Sequence, residues 1–487
     1  MRIDMKETRS GIEALSTAGV CRPNRVGKCI LQNKGSGVVC GSTVNSEARG
    51  PACDAYFWVW VVMNKKNKLF LLLLAMSWGV PWISVSAATV GEALSLRQLE
   101  DLALRRDPMI SKYLDEADAM AAQAVASQSR PDPKLKLGLM NVPVDSFDLA
   151  QEPMTQEVIG IQQMFPSGNM LRSMGDRMSH MGEAREAQAA NRRLETLREV
   201  RKAWLNLYQA FHASNIVRQS QKVFEDLVKI VGFQYRSGQG SQQDVIRAQL
   251  ELDMLKDKEI ELDTMLQMAQ SKLTRWVGRE AAVENLQLDA VSLPEVPERS
   301  QISFSLKQHP MVAMKDNMAT AAQMAVEVAR SKYDIAWMID LSYGFRQPAP
   351  NGTTRADMLS AMVMVDLPFF TGKRQDKWLA ASEKEYGAAR SEVEDTRLAM
   401  QAMLDAQYAV MENLLKRLAF YRDTVLPGSS QNAEAALKAY QSRTGDFTPL
   451  MRARLMDLMN KLTALRLLVE QAEAQTELLY LAGDRKS

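Results

Sequence analysis

The chain is written twice. Set against itself at a shift of roughly two hundred residues, Asp107-Pro108-Met109 meets His309-Pro310-Met311, and Phe165-Pro166-Ser167-Gly168 meets Phe369-Phe370-Thr371-Gly372. Arg236-Ser237-Gly238 meets Arg443-Thr444-Gly445, and Trp276-Val277-Gly278 meets Leu481-Ala482-Gly483. Any fold for one half must therefore serve the other. The joint is ENLQLDAVSLPEVPERS, where Pro294 and Pro297 interrupt the helical pattern. A first repeat over 88–293, a linker over 294–300 and a second repeat over 301–485 follow.

Within each repeat the hydrophobic period changes in a fixed order. A helix is expected from about Met109 to Ser129 and again from Met311 to Lys332, the first ended by RPDPK. Two alternating segments follow in each copy, at about 132–142 and 155–165, then at about 336–346 and 357–368. Leu135, Leu137 and Leu139 share one face; so do Trp337, Ile339, Leu341, Tyr343 and Phe345, with Asp340 on the other face, that of a barrel lumen. Four strands of this length can each cross an outer membrane when tilted, yet a barrel needs about eight. Several chains must contribute.

Each strand pair leads into a helix of unusual length. From Ser167 to Arg236 there is no proline, and such a helix spans about 105 Å. Gly168, Gly175 and Gly182 are expected to weaken its start, so the firm part begins near Glu183. Leu197, Val200, Trp204, Leu207 and Phe211 step by three and four, as do Leu404, Tyr408, Met411, Leu415 and Leu418. The rhythm resumes beyond the breaks at 236–241 and 443–448. Each break then joins two antiparallel coiled-coil arms, with a glycine reversing the chain at positive φ.

Composition sets the context. Sixty basic residues stand against 58 acidic ones, a net charge of +2 that gives no footprint for nucleic acid. Cys21, Cys29, Cys40 and Cys53 all precede residue 63 and lack the close pairing of zinc sites. Met63 opens MNKKNKLFLLLLAMSWGVPWISVSAATV, which has the basic start, short apolar run and small-residue end of a signal peptide over 63–87. Residues 1–62 are then an upstream extension outside the working protein.

The duplicated helix, strand, strand, helix order, the F-P-S-G and F-F-T-G strand exits and FQYRSGQGSQQDVIRAQ resemble the TolC-type outer-membrane efflux channels over residues 92–485. The resemblance implies an internally duplicated α+β membrane protein: a homotrimer whose strands form a twelve-stranded β-barrel and whose long coiled-coil helices form an α-barrel across the periplasm. It implies a passive outer-membrane exit duct of a tripartite efflux system, carrying heavy-metal ions or drugs. Its partners would be a periplasmic adaptor, an inner-membrane pump of the resistance-nodulation-division type and outer-membrane lipid. Arg236, Ser237, Gly238, Gly240, Arg443, Thr444, Gly445 and Asp446 would form the tips that meet the adaptor.

The family commonly lines its periplasmic mouth with acidic residues after the second-copy glycine. Counting from Gly445 places Met451 and Arg454 there, and counting from Gly238 places Asp244 and Arg247. An arginine ring repels cations, so Arg454 is expected to pair with Asp244 or Asp446. Met170, Met174, Met178 and Met181, and Met311, Met314 and Met318, lie at helical spacing, where methionine more often fills packing gaps than binds soft metals. His180, His212 and His309 share no ligand spacing; His309 and its repeat partner Asp107 suit helix N-termini. With no nucleophile elbow, phosphate loop, HExxH or dinucleotide fingerprint, neither catalysis nor a cofactor is expected. A type I protein-secretion duct and a non-pore periplasmic scaffold are the alternatives.

Overall fold

The computed structural model describes residues 94–283 and 286–483. The expected upstream extension and signal peptide lie outside the described residues. Helix α1 (Leu96–Arg106) opens on a capping box of Ser95 and Gln98 and buries Leu96, Leu99 and Ala103. The sequence reading had not found it. Leu99 is fully buried, which stabilises the fold by about 1.5–3 kcal/mol.

Helix α2 (Pro108–Gln128) leads to strands β1 (Lys134–Met140) and β2 (Gln156–Phe165), then α3 (Met170–Arg236) and α4 (Gln242–Val277). After the short α5 (Arg279–Val283) and α6 (Arg299–Ser305), the order returns as α7 (Pro310–Ser331), β3 (Ala336–Phe345), β4 (Met358–Asp366), α8 (Gln375–Phe420), α9 (Leu426–Gln441) and α10 (Phe447–Ala482). Gly278 and Gly483 end the two return helices at φ +89° and +79°. A single π-turn, Tyr421–Val425, separates α8 from α9 just before Pro427, which has no N–H to continue the ladder.

Three sequence expectations change. Helix α3 is continuous over 67 residues, about 100 Å, and starts at Met170 rather than near Glu183. Its glycines are points of close approach. A Cβ on Gly175 would meet the Gln128 side chain at 2.1 Å, and one on Gly182 would reach the Ala117 carbonyl at 3.4 Å. Strand β1 is also shorter than its expected span, because Pro131 and Pro133 cannot donate to the ladder.

The strands form one antiparallel sheet in the order β1-β2-β3-β4. The helices pack α2 on α3, α3 on α7 and α7 on α8, while α10 packs on α3, α8 and α9. One core cluster joins α1, α3 and α4 around Leu99, Trp204 and Leu273. A second joins the two hairpins toward their tips through Phe224, Leu252, Tyr440, Phe447 and Leu450.

The repeat partners Asp107 and His309 both cap helices. Asp107 accepts from the Met109 N–H at 2.9 Å, from Arg192 Nε at 2.8 Å and from Thr196 Oγ1 at 2.6 Å. Burial alone would raise its pKa, but the hydrogen bonds from Thr196, Met109 and Arg192 outweigh burial and lower it. His309 Nδ1 accepts from the Met311 N–H at 3.2 Å while Nε2 lies 3.0 Å from the Tyr480 carbonyl. That pair of partners needs a neutral ring with the proton on Nε2. Burial accordingly pushes His309 below its ordinary 6.5.

A depressed imidazole pKa stabilises the fold fully above 6.5, and this contribution is lost as pH falls below 6.5 toward the folded value, because the unfolded chain takes the proton first. His309→Asn keeps a capping side chain without the titration. Thermal unfolding of the detergent-solubilised protein should therefore lose more stability between pH 7 and 5 in the wild type than in His309→Asn. Parallel pH curves for the two proteins would remove His309 as the cause.

Candidate functional site

Two regions gather polar groups: the paired hairpin tips and one face of the sheet. At the first tip Ser237 N–H bonds to the Phe233 carbonyl, Gly238 N–H to Tyr235 and Gln239 N–H to Gln234. At the second, Ser442 N–H bonds to Lys438, Arg443 N–H to Tyr440 and Thr444 N–H to Ala439. The backbones are superposable, and they pair Gly238 with Arg443 and Gly240 with Gly445. The sequence match of Arg236-Ser237-Gly238 with Arg443-Thr444-Gly445 was therefore two residues out of register. The signal for the true match was present in Tyr235, Ser237, Gly240 and Arg247-Ala248, which recur as Tyr440, Ser442, Gly445 and Arg452-Ala453.

This register corrects the role of the glycines. Gly238 takes φ +71°, as expected, but in the second tip Arg443 takes the left-handed conformation at φ 58° and Gly445 does not. Gly445 is instead a point of close approach, where a Cβ would sit 3.0 Å from Ala439 Cβ. Ser241 caps α4 by accepting from the Gln243 N–H at 3.1 Å; its counterpart Asp446 makes no side-chain cap bond.

The tips are tied to one another. Tyr440 Oη donates to Gln234 Oε1 at 2.5 Å, Arg443 Nη2 to Gln239 Oε1 at 2.6 Å and Arg247 Nη1 to Thr448 Oγ1 at 2.9 Å. Burial, and then the nearby charge of Asp244, raises the Tyr440 pKa, so this hydroxyl remains a donor at neutral pH. Sequence reasoning missed Gln234, Gln239, Tyr440 and Thr448 because no composition rule marks a hydrogen-bonded pair across two hairpins.

Of the expected mouth residues, Met451 is buried beside Phe447 and Leu450 in the core between the tips. The true register makes Pro449 the counterpart of Asp244 and Gln249 the counterpart of Arg454. Arg454 forms no ion pair with Asp244 or Asp446; its Nε is buried without a hydrogen-bond partner among the described residues. The expected latch is not made within one chain, because counting from mismatched glycines placed these side chains at non-equivalent positions.

In the sheet, register sorts the side chains completely. Leu135, Ile161, Leu341 and Ala361 form one row, and Leu137, Ile159, Tyr343 and Leu359 the next, on a face that also carries Phe165 stacked on Trp337 at 4.0 Å. The opposite face carries Lys136, Gln162 and Asp340. Asp340 Oδ2 accepts from Lys136 Nζ at 3.1 Å and from Gln162 Nε2 at 2.5 Å. Asp340 thus lies on the face opposite the aromatic residues, as its alternation requires.

The helical methionines are divided. Met311 packs against the core near Leu306 and Val312, whereas Met174 and Met318 are exposed. His180 meets Glu183 at 3.0 Å and His212 Nε2 meets the Leu288 carbonyl at 2.7 Å. No helix among the described residues is long and apolar enough to cross a membrane.

Residues 99–279 match the family model described as outer membrane efflux protein. Among solved structures, the outer-membrane channel OprN is 16% identical with a TM-score of 0.68, over 80% of this chain and 89% of that one. The outer membrane protein VceC of Vibrio cholerae is 17% identical with a TM-score of 0.67, over 80% of this chain and 96% of that one. The CmeC outer membrane channel of Campylobacter jejuni is 13% identical with a TM-score of 0.68, over 80% and 85%. No curated protein matches by sequence. The duplicated order of elements and these comparisons lead to one conclusion: the chain has the fold of solved outer-membrane channels, and its first repeat matches the outer membrane efflux protein family.

Proposed function

We propose that three copies of this chain close into the outer-membrane exit duct of a tripartite efflux system, passing substrate passively from an inner-membrane pump to the outside. The observation that carries this reading is the open sheet. Among the described residues β1 and β4 each have one unpaired edge, and one face is apolar except for Glu157 and Gln163. Water would leave the edges solvated but the face unsatisfied; a lipid surface does the opposite unless the edges close. Twelve strands from three copies satisfy both.

The helical layer supports the same closure. Helix α3 is covered by α2 and α7, whereas its counterpart α8 packs on α7 and α10 and leaves Leu398 exposed. By repeat symmetry the missing cover of α8 is α2 of the next copy. In this assembly Arg236, Ser237, Gly238, Gly240, Arg443, Thr444, Gly445 and Asp446 form the end that meets a periplasmic adaptor. Asp244, Arg247, Met451 and Arg454 lie just behind it, at the mouth. The pump is of the resistance-nodulation-division type, and the substrate is a heavy-metal ion or a drug.

Repeat symmetry also supplies the test. Asp176 of α3 and Glu327 of α7 line one cleft; their counterparts are Ala380 of α8 and Val125 of α2. A variant carrying Val125→Cys and Ala380→Cys, treated with a short bismaleimide, should run as a covalent trimer on a denaturing gel, and the untreated protein should conduct in planar bilayers. Monomers only, or folded protein that never conducts, would count against the duct.

A further inference from the structure

We propose that Met164, Met338 and Met364 form a binding site for a soft monovalent cation, Cu(I) or Ag(I), on the polar face of the sheet. The site rests on the duct reading above, in which this face lines the passage. Register places Met164 directly opposite Met338 and Met338 directly opposite Met364, so three thioethers form one row across β2, β3 and β4. Directly opposed Cβ atoms are about 4.5–5.5 Å apart, and each methionine has three rotatable bonds below Cβ with which to bring sulfur toward a common point above Met338.

Packing does not account for the row. Met164 and Met364 are 45% and 40% exposed among the described residues. The next row on this face is Gln162, Asp340 and Met362. Of the two carboxylates on this face, Asp340 is held by Lys136 and Gln162, and Asp366 lies opposite Ala336 in the row on the helical side. Three adjacent thioethers are a donor set that selects Cu(I) and Ag(I) over hard cations.

Position agrees with passage. Met164 is the penultimate residue of β2, and Met338 and Met364 lie near the same end of β3 and β4, where the sheet joins the helices. Met170, the first residue of α3, lines the same cleft as Met164. A cation leaving the helical tunnel meets this row just after Ala336 and Asp366, before Asp340 and the rest of the strands. Neutral, partly exposed ligands hold an ion without trapping it, which conduction requires.

The test uses the full chain purified in detergent, labelled with 13C at the methionine methyls and titrated with silver nitrate in chloride-free buffer. The methyl signals of Met164, Met338 and Met364 should shift together and saturate at one silver ion per chain. Met164→Leu, Met338→Leu and Met364→Leu combined should abolish that binding, and Met358→Leu with Met362→Leu should leave it intact. Leucine conserves volume, and the remaining methyl signals report whether the fold is kept. Silver bound equally well by the triple variant, or none bound by the wild type, overturns the site. Potassium conductance of the same preparations separates the two readings: a conducting protein that ignores silver loses only the site, and a folded protein that never conducts loses the duct on which it rests.

Discussion

Arginine at Ile161 is expected to keep the protein from assembling in the outer membrane, while arginine at Ser360 is expected to leave assembly intact and change only conductance. Ile161 sits between Leu135 and Leu341 in an apolar row at mid-strand, and Ser360 lies opposite Ser342 on the polar face. A guanidinium on the lipid face of a barrel costs about 2–4 kcal/mol at the midplane, a factor of roughly 30 to 800 in the folded population. On the water-filled side the same charge keeps its hydration. The checks are the yield of heat-modifiable trimer in outer-membrane fractions and the single-channel conductance of what assembles. Equal yields for the two variants would mean that the faces are assigned wrongly, and a periplasmic scaffold would regain standing.

The second large effect is expected at the tips. Tyr440→Phe with Arg443→Ala removes the bonds to Gln234 and Gln239 and leaves the apolar core between the hairpins in place. Each bond contributes about 0.5–1.5 kcal/mol, and losing about 2 kcal/mol moves the ratio of spread to joined tips roughly 30-fold. Bilayer conductance should rise in the double variant and rise less in each single one. Arg454→Ala, by contrast, removes a guanidinium whose Nε has no hydrogen-bond partner among the described residues. If only Arg454→Ala opened the pore, the closing contacts would lie between copies rather than between the two hairpins of one.

The charge-paired mouth read from the sequence and the hydrogen-bonded bridges in the structure differ for an instructive reason. Counting residues from a glycine presumes that both glycines do the same work. Here Gly238 supplies a left-handed residue, and Gly445 supplies space beside Ala439 while Arg443 takes the strained turn. Backbone hydrogen bonds fix which positions correspond.

Sequence alone determined the duplication, the repeated order of helix, two strands and long helical hairpin, the alternation of the strands and the capping of α2 and α7 by Asp107 and His309. These properties are carried by neighbours along the chain: period, proline placement and side chains that bond their own backbone. Tertiary structure decided the rest. The close approach of α3 to α2 at Gly175, the tip bridges and the alignment of Met164, Met338 and Met364 depend on which distant residue lies opposite. Hydrophobic period states only the face on which a side chain lies; the partner it meets there is set by long-range register, which no single segment encodes.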